Sequence, residues 1–358
     1  MNQDFPEDEV LVEIRGGLGV ITLNRPDVLN ALSLDMIRSI AAALHRWEGD
    51  DSVRAVLFQA AGGRAFCAGG DVRSFYNAGM DCRRGRVSPR VPVVFFAEEY
   101  SLNKQIFHYP KPSVAVMDGI TMGGGYGIAG HCDVRIAGPK SVLAMPEVRI
   151  GFFPDVGSLY QLHRCGHHYG RYLALSGQDI DGETAVSVGL ADLYVEDSGA
   201  VVEAVAGVVG AEDFKAAVAA VLGGGAACGV PEHADVVEAV FCDFDMGAII
   251  ERLEREGSGF AKSTLEALRS RSPVSLAVTA RRLQETQGQD FDDVIAGDFV
   301  LVQHFIRQGD MYEGIRAQII DKDKNPEWSP KRLEDIREED VNLYFTPTGY
   351  DLKDVRIF

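Results

Sequence analysis

The hydrophobic period of the N-terminal part of the chain alternates between about two and about 3.6 residues, and this alternation constrains the fold more than any other feature. The segments VLVEIR and LGVITL alternate apolar residues on either side of Gly16-Gly17, which predicts a β-hairpin. Between Met36 and Trp47, apolar residues recur at three- and four-residue steps, which predicts a helix that Ser33 caps. The runs RAVLFQA, SVAVMD and DVRIAG predict strands, and helical patterns separate them. The sequence therefore predicts an α/β fold.

Helical patterns dominate the chain after about residue 195. The run AVVEAVAGVVG and the amphipathic residues 291–308 are examples, and strand signals are few. We therefore expect an α/β core over residues 1–198 and a mostly helical region over residues 199–358, in a chain long enough to bury a sizeable core. The run Gly223-Gly224-Gly225 is interpreted as a connection between helices.

The acidic composition argues against several classes of partner. The formal net charge of −18 disfavours nucleic acid and anionic membrane surfaces. The six cysteines form no CxxC pair, so we expect neither a disulfide framework nor a cysteine-ligated zinc site, and no metal is predicted. No apolar run approaches the roughly 18 residues that span a bilayer, and the segment MNQDFPEDEV is too acidic for a targeting leader. These features predict a cytoplasmic protein.

Two glycine clusters, GRAFCAGGD and DGITMGGGYG, each follow a predicted strand. Glycine permits a positive φ and a close ligand approach, so these loops can present main-chain N–H groups to a developing oxyanion. Two tight packing turns are the alternative. The second cluster also contains a G-x-G-x-x-G pattern over residues 125–130, which would suggest a nicotinamide cofactor. The segment GITMGG separates that pattern from Asp118, and this spacing disfavours a dinucleotide site.

The segment AMPEVRIGFFPDVG places Glu147 and Asp155 in an apolar, glycine-broken stretch. Taken singly, Glu147 fits the start of a helix after Pro146, and Asp155 fits a turn after Pro154. With Gly151 between them, the two carboxylates could instead fold back to line one apolar cleft. Burial and a second nearby charge would raise the pKa of a carboxyl group, so that one acid donates a proton while the other accepts one. The segment therefore predicts a site for general acid–base catalysis.

Together these segments resemble the crotonase (enoyl-CoA hydratase/isomerase) superfamily, and within it the 3-hydroxyisobutyryl-CoA hydrolase branch. The likeness extends from GVITLNRPDVLNALS through AFCAGGD, EEYSLN and AMPEVRIGFFPDVG to YEGIRAQIIDKDKNPEWSP. The resemblance implies a core of ββα spiral turns, helices that close over the acyl site, and coenzyme A thioester chemistry without a metal or redox cofactor. It also implies hydrolysis of a short β-hydroxyacyl-CoA ester, with 3-hydroxyisobutyryl-CoA of valine breakdown as the expected substrate.

The resemblance also assigns roles by position. It places a catalytic oxyanion hole at the backbone N–H groups of Gly70 and Gly124, and catalytic carboxyl groups at Glu147 and Asp155. Arg64 and Arg73 fall where relatives place cations near the adenosine phosphate. The complete set of implied substrate-binding residues is Arg64, Ala68, Arg73, Glu99, Gly124, Glu147 and Asp155.

Two positions separate hydrolysis from hydration within the family. Hydratases carry a second catalytic glutamate where this chain has Gly127, and they typically carry glycine where it has Asp155. The resemblance therefore favours hydrolysis. An enoyl-CoA hydratase or isomerase and a catalytically silent CoA-ester-binding protein remain alternatives. Many members of the superfamily form trimers or hexamers, so a homo-oligomer is a further expectation.

Overall fold

Strands and helices alternate along the N-terminal part of the chain, as the hydrophobic periods predict. The computed structural model describes residues 8–88, 90–223 and 228–352. The strands in these residues are β1 (Val10–Arg15), β2 (Leu18–Leu23), β3 (Ala55–Ala60), β4 (Ala65–Cys67), β5 (Ser113–Val116), β6 (Ile120–Met122), β7 (Val134–Ala137), β8 (Val142–Ala144), β9 (Ile180–Asp181) and β10 (Leu193–Tyr194). The α-helices are α1 (Leu34–Glu48), α2 (Val72–Arg83), α3 (Arg90–Phe107), α4 (Gly124–Ala129), α5 (Ser158–Leu162), α6 (Tyr169–Ser176), α7 (Gly182–Ser187), α8 (Val201–Ala206), α9 (Phe214–Val221), α10 (Ala234–Val240), α11 (Met246–Glu256), α12 (Gly259–Arg269), α13 (Pro273–Glu285), α14 (Phe291–Arg307), α15 (Asp310–Ile315) and α16 (Glu338–Tyr344).

The strands form two sheets. The larger sheet has the order β1-β2-β3-β5-β7-β10, in which β1 pairs antiparallel with β2 and the other neighbours run parallel. The smaller sheet has the order β4-β6-β8-β9, with β4 parallel to β6 and β8 antiparallel to β9. The predicted hairpin is β1–β2, and Gly16 and Gly17 at its turn have φ values of 57° and 93°. This positive-φ turn explains the glycine pair.

The described residues divide into two compact units, each made of three separated segments. The first unit comprises residues 8–70, 102–143 and 180–228, and the second comprises residues 71–101, 144–179 and 229–352. The sheets belong to the first unit, apart from the last residue of β8, whereas the second unit is helical. Both units contain segments from either side of residue 198, so the division into residues 1–198 and 199–358 remains a prediction.

The core of the first unit is built from alternate residues of its parallel strands. Because successive side chains of a strand point to opposite faces, one face of the larger sheet meets helices α8 and α9. On β2, a Cβ at Gly19 would lie 2.7 Å from the Trp47 ring, so glycine leaves room for this side chain of α1. The core residues on this sheet and these helices include Leu18, Val20, Ala55, Leu57, Val114, Val134, Ile136, Val201, Val205, Phe214 and Val218.

Side-chain caps determine where several helices begin. Ser33 accepts the N–H of Met36 at 3.0 Å, as the sequence predicts. Four helices of the second unit, α11 to α14, start after residues whose side chains accept the backbone N–H three positions along, namely Asp245, Ser258, Ser272 and Asp290. Each cap satisfies an N–H group that has no carbonyl partner within its own helix.

The α/β class and the helical character of the C-terminal half are confirmed, since no strand follows β10 in the described residues. The prediction that residues 223–225 connect two helices is only partly covered by the described residues. Gly223 follows α9 with a φ of 89°, whereas Gly224 and Gly225 lie outside the described residues, so their role as a helix connection stays a prediction.

Candidate active site

The two glycine loops meet within the first unit. They follow β4 and β6, which are parallel neighbours, so both loops leave the same edge of the smaller sheet. A Cβ at Gly69 would lie 3.8 Å from the backbone nitrogen of Gly124, which shows that the loops are in contact. The fold therefore brings together the two segments that the sequence predicts to supply an oxyanion hole.

Local backbone geometry holds each loop in place. Gly70 forms an isolated parallel bridge with Leu32, whose N–H donates to the Gly69 carbonyl at 2.8 Å. Gly124 is the first residue of α4, so its N–H has no carbonyl partner within the helix. Gly123 before it adopts φ 49° and ψ −122°, a conformation that L side chains rarely adopt. The N–H of Gly124 can therefore donate to a ligand oxygen.

The G-x-G-x-x-G pattern has a packing explanation. A Cβ at Gly125 would lie 2.2 Å from the carbonyl oxygen of Cys67, and one at Gly130 would lie 2.6 Å from the Tyr126 ring. Gly125 therefore permits α4 to pack closely against β4, and Gly130 leaves room for the Tyr126 side chain of α4 itself. The Gly127 carbonyl instead accepts a hydrogen bond from the Asn103 side-chain amide at 2.9 Å.

A cluster of buried carboxyl groups lies in the second unit. Glu99 on α3, Glu147 and Asp155 are only 3%, 7% and 4% exposed. Glu147 begins a short 3₁₀-helix, Glu147–Ile150, after Pro146. The interpretation of Glu147 as a helix start is therefore confirmed, and its burial is compatible with the catalytic role, which stays a prediction.

These acids perturb one another's proton affinity. Burial raises the pKa of Glu147 well above its usual range, and the charges of Asp155 and Glu99 raise it further. Burial likewise raises the pKa of Glu99 well above its usual range, with the charge of Asp155 adding to the effect. Burial raises the pKa of Asp155 to about 7. The arrangement holds Asp155 near the midpoint of its titration at neutral pH, as a general acid or base requires.

One oxygen of Glu147 has no partner in the described part of the chain. Its Oε2 is buried and makes no hydrogen bond there. Leaving a buried polar atom unpaired costs roughly 1–3 kcal/mol, and more for a charged group. A group retained at such a cost is commonly one that a substrate or water satisfies during function.

Tyr100 is a site residue that sequence reasoning missed. Its hydroxyl donates to the Oδ2 of Asp155 at 2.6 Å, and its ring is fully buried against Phe96 and Phe299. This hydrogen bond stabilises the ionised carboxylate and so opposes the burial that raises the pKa of Asp155. The segment EEYSLN contained Tyr100 beside Glu99, but only its neighbour could be assigned a role.

The chain reverses sharply on either side of Asp155. Gly151 has φ 68°, and a Cβ there would lie 2.7 Å from the carbonyl oxygen of Asp310. After Asp155, Val156 and Gly157 adopt φ values of 56° and 71°. A positive φ at a β-branched residue is a strained conformation that only a well-determined surrounding sustains.

The remaining predicted substrate-binding residues lie elsewhere. Arg64 is exposed in the first unit. Ala68, in the same unit, donates its N–H to the Leu29 carbonyl at 3.1 Å. Arg73 is exposed in the second unit and donates through Nη2 to the Ile319 carbonyl at 3.0 Å. Their contacts with a substrate phosphate stay predictions.

The described residues contain neither a cluster of metal-ligating side chains nor a helix that could span a membrane. No group of three or more His, Cys, Asp or Glu side chains in residues 8–88, 90–223 and 228–352 is arranged to hold a metal ion. Among the helices of the same residues, none combines the length and the apolar character needed to cross a membrane.

Comparison with known proteins places this geometry in a family context. The family model for enoyl-CoA hydratase/isomerase matches residues 18–345. A Rattus norvegicus protein named 3-hydroxyisobutyryl-CoA hydrolase, mitochondrial, is 39% identical over 99% of this chain and 93% of its own length. The Xenopus tropicalis protein of that name is 40% identical over 98% and 92%. A crystal structure described as a carnitinyl-CoA dehydratase from Mycobacterium thermoresistibile is 36% identical, covers 97% of this chain and 98% of its own, and has a TM-score of 0.86.

Proposed function

The chain belongs to the enoyl-CoA hydratase/isomerase family, and from this premise we propose that it hydrolyses a short β-hydroxyacyl-CoA thioester. The substrate that we assign is 3-hydroxyisobutyryl-CoA, which would give 3-hydroxyisobutyrate and free coenzyme A. Full-length likeness to relatives named for this hydrolase supports the proposal. The observation that carries it in the structure is the buried Asp155, which shares the second unit with Glu147.

Glu147 is the proposed reactive carboxylate. In its ionised form, its unpartnered Oε2 either takes a proton from the attacking water or itself attacks the thioester carbonyl to form a mixed anhydride, which water then cleaves. In both routes the carbon–sulfur bond breaks, the thiolate takes a proton and one water is consumed. Asp155, with a pKa of about 7, orients the water or the substrate hydroxyl and relays protons.

The backbone N–H groups of Gly70 and Gly124 are the proposed oxyanion hole. They would donate to the thioester oxygen as it becomes negative, and losing one such donor typically costs roughly 2.7–4 kcal/mol of transition-state stabilisation. The contact between the two glycine loops supports this role.

The rival function is hydration or dehydration of an acyl-CoA, which the description of the Mycobacterium thermoresistibile structure suggests. Gly127 disfavours hydration, because a glycine cannot supply the second acid that hydration by two glutamates requires. The test is a panel of hydroxyacyl-CoA and enoyl-CoA esters with two readouts, thiol release and loss of the conjugated thioester absorbance. Hydrolysis predicts thiol release from 3-hydroxyisobutyryl-CoA, whereas absorbance loss from crotonyl-CoA without thiol release would indicate hydration. Thiol release above background would also exclude a catalytically silent CoA-ester-binding protein.

A single turnover in heavy-oxygen water tests the direct route, because solvent label found in Glu147 rules out hydrolysis by direct water attack alone. The mixed-anhydride route places solvent oxygen in the Glu147 carboxyl group when water attacks the enzyme-side carbonyl. Direct water attack leaves Glu147 unlabelled. Peptide mass spectrometry after one turnover measures the label.

We further propose a cytoplasmic role in valine breakdown and assembly into a homo-oligomer. The names of the relatives carry the word mitochondrial, so the compartment needs its own test. Subcellular fractionation of the source cells and light scattering of the purified protein check these two points.

A further inference from the structure

A buried ion pair in the second unit contacts the turn that follows Asp155. Asp298 of α14 is fully buried and Arg282 of α13 is 3% exposed. The Nε of Arg282 donates to the Oδ1 of Asp298 at 3.2 Å. The other carboxylate oxygen, Oδ2, accepts the backbone N–H of Gly157 at 3.0 Å. Asp298 therefore connects the helical layer to the turn that follows Asp155.

This turn needs an external support. Val156 and Gly157 both have a positive φ, which for the β-branched valine is a strained conformation. Gly157 is also confined, since a Cβ there would lie 2.5 Å from the Phe291 ring. The hydrogen bond from Gly157 to Asp298 fixes a peptide unit two residues from the carboxyl group of Asp155.

We propose that Asp298, held in place by Arg282, is a positioning residue for Asp155 in the reaction. The inference rests on the proposed thioester hydrolysis for its kinetic consequence. Asp298 fixes the Val156–Gly157 turn through one oxygen, while Arg282 fixes the other oxygen and donates through Nη2 to the Val294 carbonyl.

The charge of Asp298 also acts on Asp155. The charged groups that face Asp155 are Glu99, Glu147 and Asp298, together with the Tyr100 hydroxyl. The charge of Asp298 raises the pKa of Asp155, whereas the Tyr100 hydrogen bond lowers it. Burial raises the pKa of Asp298 itself to about 6, and Arg282 opposes this rise. The ionised form of Asp298 therefore favours the protonated form of Asp155.

A purely structural role is the alternative, and stability measurements do not separate the two. Removing one partner of a buried ion pair destabilises a protein whether or not the pair serves catalysis. The discriminating quantity is the titration of Asp155, which a scaffold residue would leave unchanged.

The test compares Asp298→Asn with Asp293→Asn. Asparagine retains an oxygen that can accept the Gly157 N–H but removes the charge, and Asp293 provides the same change at an exposed position of α14. We expect the pH–rate limb assigned to Asp155 to move to lower pH in Asp298→Asn. We also expect kcat to fall by roughly 10- to 100-fold with KM within about twofold, because a slightly misplaced catalytic group costs that much. Asp293→Asn keeps the wild-type profile.

A second readout separates failure of this inference from failure of the proposed function. Carbon-13 NMR of the carboxyl groups follows the titration of Asp155 without any substrate, and Asp155→Asn identifies the resonance. A lower pKa of Asp155 in Asp298→Asn supports the inference even if no hydroxyacyl-CoA ester releases thiol. An unchanged titration, in a folded variant, overturns it. If Asp298→Asn does not fold, the double variant Asp298→Asn/Arg282→Gln leaves no unpaired charge. A lower pKa of Asp155 in this double variant supports the inference, and an unchanged pKa overturns it.

Discussion

Glu147 combines burial, two neighbouring carboxyl groups and an oxygen without a partner in the described residues. We expect Glu147→Gln to reduce kcat by about 10²- to 10⁴-fold, because the amide can neither accept a proton nor attack the thioester. Binding should persist, since glutamine keeps the shape of the side chain. Thiol release and calorimetric titration with a non-hydrolysable CoA thioether measure the two properties. Glu183→Gln, at an exposed position of α7, is the matched control, and wild-type turnover in Glu147→Gln would refute the assignment.

Tyr100→Phe tests the hydroxyl that donates to Asp155. This hydrogen bond lowers the pKa of Asp155, so its loss should move the limb of the pH–rate profile assigned to Asp155 to higher pH, opposite to the shift expected for Asp298→Asn. The pH dependence of kcat measures the shift. Tyr194→Phe in β10 controls for loss of a phenolic hydroxyl. A Tyr100→Phe profile that superimposes on wild type contradicts the geometry.

The residue scale also shows what the sequence could predict about the site. Glu147 and Asp155 lie eight positions apart, within one recognisable segment, and both were predicted. Asp298 and Tyr100 escaped prediction because they approach Asp155 only through the tertiary fold. A carboxylate on an amphipathic helix is usually a solvated residue, and nothing in the local pattern marks Asp298 as buried.

At the scale of elements, the turn after Asp155 makes a quantitative prediction. Gly157→Ala should lower the free energy of unfolding by roughly 2–4 kcal/mol, because it adds a positive-φ penalty of about 1 kcal/mol to a clash with the Phe291 ring worth about 1–3 kcal/mol. Gly288→Ala separates the two effects. It has a φ of 77° and no atom within 4 Å of the added Cβ, so only the smaller penalty applies. Equal urea-denaturation midpoints for the two variants would contradict the packing.

Element length explains which parts of the fold the sequence predicted. The hairpin β1–β2, the strands β3, β5 and β7 and the helix α1 are long enough to show a hydrophobic period. The strands β4, β8 and β9 have only two or three residues, and so few positions cannot reveal an alternation. Their pairing depends instead on partners distant in sequence, such as β8 with β9.

At the scale of the whole molecule, buried acids should make stability depend on pH. In the folded state, the pKa values of Asp155 and Asp298 are raised to about 7 and about 6, and those of Glu99 and Glu147 are raised well above their usual range. The folded protein therefore binds more protons than the unfolded chain above about pH 4, so the free energy of unfolding decreases as the pH rises towards 7.

Urea denaturation at pH 5, 6, 7 and 8 measures this dependence. Each unit of pKa difference is worth about 1.4 kcal/mol, so we expect an appreciable decrease across the series. Glu99→Gln removes one of the buried acids and should be more stable than wild type at pH 8 with a smaller pH dependence. A variant with the same dependence as wild type would show that Glu99 ionises normally. The exposed control is again Glu183→Gln.

The chain passes between its two compact units after residues 70, 101, 143, 179 and 228. The predicted oxyanion amides belong to one unit and the acid cluster to the other. A continuous stretch that holds all of the first unit also carries residues 71–101 and 144–179 of the second, so neither unit can be moved into another protein as a continuous cassette.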